Sequence, residues 1–177
     1  MLAVKMNDTY LELVEGDITE LEVDAIVNPT TPDLEVLEGL GTTILAKGGK
    51  SIEDECKRIK HSEVGTAVMT GAGTMENIKQ VVHAVPPVMG EGDEDRKLAS
   101  AVRSSLALAD RNGLRTIAIP QIVGERNNYP LQKCARITLT EVHRYLQGGT
   151  KLERVIVILG DEDTYKLYRQ ELRRGFR

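Results

Sequence analysis

Short apolar runs take turns with helical periods along almost the whole chain. Ala25-Ile26-Val27, Val81-Val82, Thr116-Ile117-Ala118-Ile119 and Val155-Ile156-Val157-Ile158-Leu159 are nearly unbroken, the pattern of strands covered on both faces. Leu11-Glu12-Leu13-Val14 alternates with period two and reads as one more strand. Between these runs, Leu98, Val102, Leu106 and Ala109 fall at i, i+4, i+8 and i+11, which predicts a helix from about Asp95 to Arg111 that Asn112-Gly113 ends. Pro130 opens another, with Leu131, Cys134, Ile137, Val142 and Tyr145 on its apolar face and Gly148-Gly149 behind it. Ser51 and Asp54 resemble a capping box ahead of Cys56 and Ile59. Asp161 and Asp163 are caps for a last helix that turns Tyr165, Tyr168 and Leu172 inward. From Thr66 onward the order is strand, strand, helix, strand, helix, strand, helix. That order predicts an α/β fold with a mixed, largely parallel central sheet and helices on both faces.

The 177 residues show no repeat and no linker, and 41% are hydrophobic, so residues 1–177 read as a single domain able to bury a core without disulfides or a metal. Lys plus Arg number 23 against 27 Asp plus Glu, a net charge of −4. Nonspecific binding to nucleic acid is therefore disfavoured, and an anionic ligand must be held locally. Cys56 and Cys134 have neither CxxC nor Cys/His spacing, which argues against zinc and against a disulfide framework. No metal and no cofactor is expected, and a reducing, cytoplasmic setting fits best. The start, Met1 to Asp8, has no apolar core of a leader, and no stretch approaches the length of a membrane span. Oligomeric state is not written in the sequence.

In a sheet of this kind, ligands sit beyond the carboxyl ends of the strands. The loops to read are Glu15 to Thr19, Asn28 to Gly49, Gln121 to Tyr129, and Gly160 to Asp163. Asp17 offers a carboxylate acceptor suited to an exocyclic amine, or it shapes the turn after the first strand. His83 lies inside an apolar strand and reads as a satisfied core histidine. Gly71-Ala72-Gly73 lacks the third glycine and the acidic residue of a dinucleotide fingerprint. The basic face of Lys166 and Arg169 and the tail Arg173-Arg174-Gly175-Phe176-Arg177 read as solvated.

Several segments agree, in order and spacing, with one known family. Gly16-Asp17-Ile18-Thr19, Val23-Asp24-Ala25-Ile26-Val27-Asn28, Ala46-Lys47-Gly48-Gly49, Glu63-Val64-Gly65-Thr66-Ala67, Val82-His83-Ala84-Val85 and Ile117-Ala118-Ile119-Pro120 closely resemble the macrodomain family, over roughly Leu11 to Leu172. The resemblance implies a three-layer αβα sandwich that binds ADP-ribose or a related adenine nucleotide. In some members it extends to ADP-ribosylated proteins and to hydrolysis of ADP-ribosyl or O-acetyl-ADP-ribose bonds. It places adenine at Asp17 and Ile18 and the distal ribose near Asn28.

The departures fall where the chemistry would be. The family's second loop asparagine falls on Thr31, and the acidic residue of many hydrolases falls on Gly41. Asn28 and Thr31 are what remains as catalytic candidates. The glycine run that cradles phosphate reads Val36-Leu37-Glu38-Gly39-Leu40 here, so Gly39 alone keeps a bare backbone. The second phosphate loop reads Val123-Gly124-Glu125-Arg126-Asn127-Asn128-Tyr129. Within it, Gly124 allows close approach, and Arg126 is either a guanidinium clamp for a diphosphate or a surface partner of Glu125. Leu159-Gly160 stands where the family often has an aromatic wall for adenine. Three function classes follow: a binding module with altered phosphate contacts, a hydrolase with an atypical site, and a scaffold or RNA-binding module without the pocket.

Overall fold

The computed structural model describes residues 1–123 and 127–175. In chain order the strands are β1 (Leu2–Met6), β2 (Thr9–Glu15), β3 (Val23–Pro29), β4 (Ala67–Gly71), β5 (Ile78–Ala84), β6 (Thr116–Ile119) and β7 (Arg154–Leu159). The helices are α1 (Leu40–Gly48), α2 (Lys50–Ile59), α3 (Glu94–Arg111), α4 (Leu131–Leu146) and α5 (Glu162–Gly175), and a 3-10 turn covers Ile18–Glu20.

All strands join one sheet in the order β1-β2-β7-β6-β3-β5-β4. The run from β2 to β5 is parallel, and only the edge strands β1 and β4 pair antiparallel. The apolar runs account for this directly. Along β7, Val155, Val157 and Leu159 join one core with α3, α4 and α5, while Ile156 and Ile158 join a second core with Ile44 of α1 and Ile52 of α2. A strand buried on both sides has no polar face to show. Among the described residues, no helix is long and apolar enough to cross a membrane.

Most local signals operate as the sequence indicates. Asp161 accepts from the Thr164 amide at 2.8 Å and caps α5, and α3 ends at Asn112 with Gly113 at φ 71°. The Ser51 capping box does not form. α2 starts at Lys50 with Gly49 as its cap, because α1 turns into α2 across Gly48-Gly49 and leaves Ser51 inside the helix. β1 carries an alternation of its own, Leu2, Val4 and Met6 turned in and Ala3 and Lys5 turned out.

The α1–α2 corner depends on close backbone contact. A Cβ on Gly73 would lie 1.8 Å from the Gly48 carbonyl oxygen, and Gly73 has φ +61°. Gly73→Ala should therefore cost at least about 2 kcal/mol in urea unfolding, from overpacking and backbone strain together. At Gly149 an added Cβ would meet nothing within 4 Å, so Ala there should be tolerated within about 0.5 kcal/mol. Equal effects at the two positions would contradict the packing described.

Candidate functional site

Parallel strands send every following turn to the same end of the sheet, and a cleft of about 830 Å³ opens there. Its lining comes from five places in the sequence: Gly16-Asp17-Ile18 after β2, Leu40 and Thr43 in the first turn of α1, Pro120-Gln121 after β6, Leu131 at the start of α4, and Ile158 to Asp161 with Asp163 and Thr164 where β7 leads into α5. The volume is that of a small-molecule site.

Asp17 is fixed by its own turn. Its Oδ1 accepts from the Thr19 amide at 2.9 Å and from the Thr19 hydroxyl at 2.6 Å, while Oδ2 lies 3.7 Å from Lys47 Nζ. The Thr19 bonds, with Lys47 adding to them, hold the Asp17 carboxyl below the usual carboxylate range. It is an ionised acceptor, and Oδ2 is its less committed oxygen. Asp17 thus shapes the turn after β2, and the same turn fixes where its carboxylate stands. Lys47 in turn donates to Glu20 and to the Thr19 hydroxyl.

The first turn of α1 borders the same cleft. The leading N–H groups of a helix have no intrahelical partner, and the helix dipole adds positive potential. Gly39 caps the helix at φ 83°, and its carbonyl accepts from Thr43. Asp161 also lines the cleft, and both its oxygens are taken by Thr164. Leu159-Gly160 supplies an aliphatic wall with no ring.

The expected site residues do not all meet in one space. Asp17, Ile18 and Leu159 line the cleft. Asn28 and Gly41 border a separate, small cavity of about 20 Å³ with Leu34, Val36 and His83. The Thr31 hydroxyl is drawn into its own loop, accepting from the Glu35 amide at 3.2 Å. Val123 is buried in the larger core, and Asn127 is half-buried. Gly124, Glu125 and Arg126 lie outside the described residues. Tyr129 is buried, with its hydroxyl donating to Asp95 at 2.6 Å. Leu40, Thr43 and Leu131 escape a reading of the sequence. The signal for them is positional only: each falls in the first turn of a helix that follows a parallel strand.

The Macro domain family profile matches residues 27–138. The O-acetyl-ADP-ribose deacetylase of Klebsiella pneumoniae (strain 342) is 37% identical over 167 residues, covering 91% of this chain and 95% of that protein. Among solved structures, the Oceanobacillus iheyensis macrodomain with ADP superposes with a TM-score of 0.93 at 24% identity, covering 98% of this chain and 95% of that one. The Trypanosoma brucei macrodomain in complex with ADP-ribose gives 0.84 at 30% identity, covering 90% and 68%.

Below the cleft, His83 is buried among apolar strands, and desolvation pulls its pKa from 6.5 to about 4. The sign follows from linkage. Between those values the unfolded chain binds a proton that the folded chain refuses, so the contribution is complete above pH 6.5 and is lost as pH falls towards 4. The urea stability difference between wild type and His83→Gln, which lacks this titration, should shrink by roughly 2 kcal/mol from pH 7 to pH 4.5. A difference that stays constant would show that His83 titrates normally.

Proposed function

The chain belongs to the macrodomain family, and from that premise we propose that it binds ADP-ribose, free or carried on a modified protein, as a single macrodomain. The observation that carries this reading is the cleft itself. It holds an ionised, pre-aimed acceptor at Asp17 and a helix N-terminus at Leu40–Thr43 within one space of about 830 Å³. A carboxylate selects the exocyclic amine of adenine over a carbonyl. Ile18 and Leu159 flank the base as apolar walls, and the diphosphate runs past the start of α1, where the dipole and the leading N–H groups of Leu40 and Gly41 favour anions, those of Thr42 and Thr43 being given to the Leu37 and Gly39 carbonyls.

Relatives support the ligand class: a chain 37% identical over 91% of this one is an O-acetyl-ADP-ribose deacetylase. One 30% identical has been solved with ADP-ribose. The phosphate contacts are weakened in this reading, because Val36, Leu37 and Glu38 bring side chains where a glycine run would leave bare backbone. Gly39, Gly41, Val123, Gly124, Glu125, Arg126 and Asn127 complete the proposed ligand shell, with Asn28 and Thr31 towards the distal ribose.

Binding without turnover is the function favoured. Activation of water needs a positioned polar group within hydrogen-bond reach. The Thr31 hydroxyl is already engaged with Glu35, and Gly41 has no side chain. The deacetylase relative supports a second reading, hydrolysis of O-acetyl-ADP-ribose, which acetate release above the buffer rate would establish.

Calorimetric titration at about 0.1 mM protein should give heat with ADP-ribose, and Asp17→Asn, which keeps an oxygen for the Thr19 cap, should weaken it about tenfold. No heat with ADP-ribose, ADP or AMP would sink the nucleotide reading.

A further inference from the structure

Asn28 of β3 lies opposite His83 of β5 in the parallel register, and both side chains turn to the α1/α2 side of the sheet, where they border the same small cavity. Three hydrogen bonds run through them. The Thr70 hydroxyl is 2.9 Å from the Gly71 carbonyl and 2.9 Å from His83 Nε2, and His83 Nδ1 is 3.1 Å from Asn28 Nδ2. All three side chains are more than nine-tenths buried.

The ends of this chain set the direction of its protons. The Gly71 carbonyl only accepts, so the single hydroxyl proton of Thr70 goes there. The Thr70 oxygen then accepts from His83, which requires the proton on Nε2. Nδ1 keeps its lone pair and takes a proton from the Asn28 amide nitrogen. From α2, Cys56 Sγ lies 3.7 Å from Nε2, and burial, with Glu55 and Glu53 adding to it, pushes its thiol up, so it stays uncharged beside the ring. The amide of Asn28 is left with one orientation, Oδ1 pointing away from His83.

That oxygen is buried and has no donor in reach among the described residues. It faces Gly41 in the first turn of α1, where a Cβ would stand 3.8 Å away. The cavity beside it, about 20 Å³, has room for one oxygen-sized group.

We propose that His83, held by Thr70, is a positioning residue that locks Asn28 as an obligate acceptor and so makes the distal end of the site select a ligand with a hydroxyl over one that ends at its phosphates. This rests on the ADP-ribose reading, in which the ligand runs from Asp17 past the first turn of α1. A phosphate oxygen brings no proton to a buried acceptor, whereas a sugar hydroxyl does.

The test is the ratio of two affinities. Wild type should prefer ADP-ribose to ADP by about tenfold, and in His83→Phe the preference should fall to within twofold of unity. His83→Gln, whose carbonyl can accept the same amide proton, should recover part of it. Equal loss for both nucleotides in His83→Phe, or an unchanged ratio, overturns the proposal. Should the Phe variant fail to fold, Thr70→Val must lower the ratio in the same direction, and an unchanged ratio there overturns it equally. Independently, long-range ¹H–¹⁵N correlation on histidine-labelled wild type should find His83 protonated on Nε2 alone. Protonation on Nδ1 would reverse the amide and overturn the proposal. If wild type binds neither nucleotide, the functional reading fails and the selectivity falls with it, while the tautomer still reports whether the proton order is right.

Discussion

The parallel register of β2, β7, β6, β3 and β5 is the constraint to which the rest of this molecule answers. Strands that run the same way must be joined by crossovers, and the strand-to-helix turns then fall at one end of the sheet. This is why Asp17, Leu40, Leu131 and Thr164, remote in sequence, share the walls of one cleft. It is also why the first turns of α1, α4 and α5 border that cleft, each bringing the positive end of a helix dipole.

The same constraint makes polar residues in the middle of the sheet conspicuous. With apolar layers on both faces, a buried Asn, His or Thr must find partners within the sheet or leave a group unsatisfied. Asn28, His83 and Thr70 satisfy one another across three neighbouring strands, and the one atom left over is Asn28 Oδ1. A satisfied core histidine and a residue that orients a site are thus compatible descriptions of His83. Which of them matters depends on what lies at the open end of the chain of bonds.

Much of the fold is legible in the sequence because it rests on periodicity. Val155 to Leu159 reads as a doubly buried strand and is one; Leu98, Val102, Leu106 and Ala109 read as a helical stripe, and all four are buried in α3. The helices cover both faces of the sheet as the alternation implies. The parts that are not legible are decided by contacts remote in sequence. The helix start at Gly49 instead of Ser51 follows from the tight approach of Gly48 to Gly73, which no local pattern announces. β1 is only five residues long and Lys5 interrupts it, so it does not stand out as an apolar run. In the site, Asp17, Ile18 and Leu159 stand out through a family pattern, and they line the cleft. Leu40 and Leu131 carry no distinctive chemistry, so only topology reveals them. The pairing of Asn28 with His83 depends on strand register, which the sequence does not state.

The lining of the cleft is mixed in its electrostatics, with the carboxylates of Asp17, Asp161 and Asp163 and the first turn of α1 all bordering it. In the proposed reading, a nucleotide offers a hydrogen-bond donor to Asp17 and an anion to the helix N-terminus. The most direct test is a crystal structure of the protein with ADP-ribose. The expected result is adenine between Ile18 and Leu159 within hydrogen-bond distance of Asp17, and the diphosphate over Leu40 to Thr43. Nucleotide density outside this cleft, or the reverse orientation within it, would contradict the assignment.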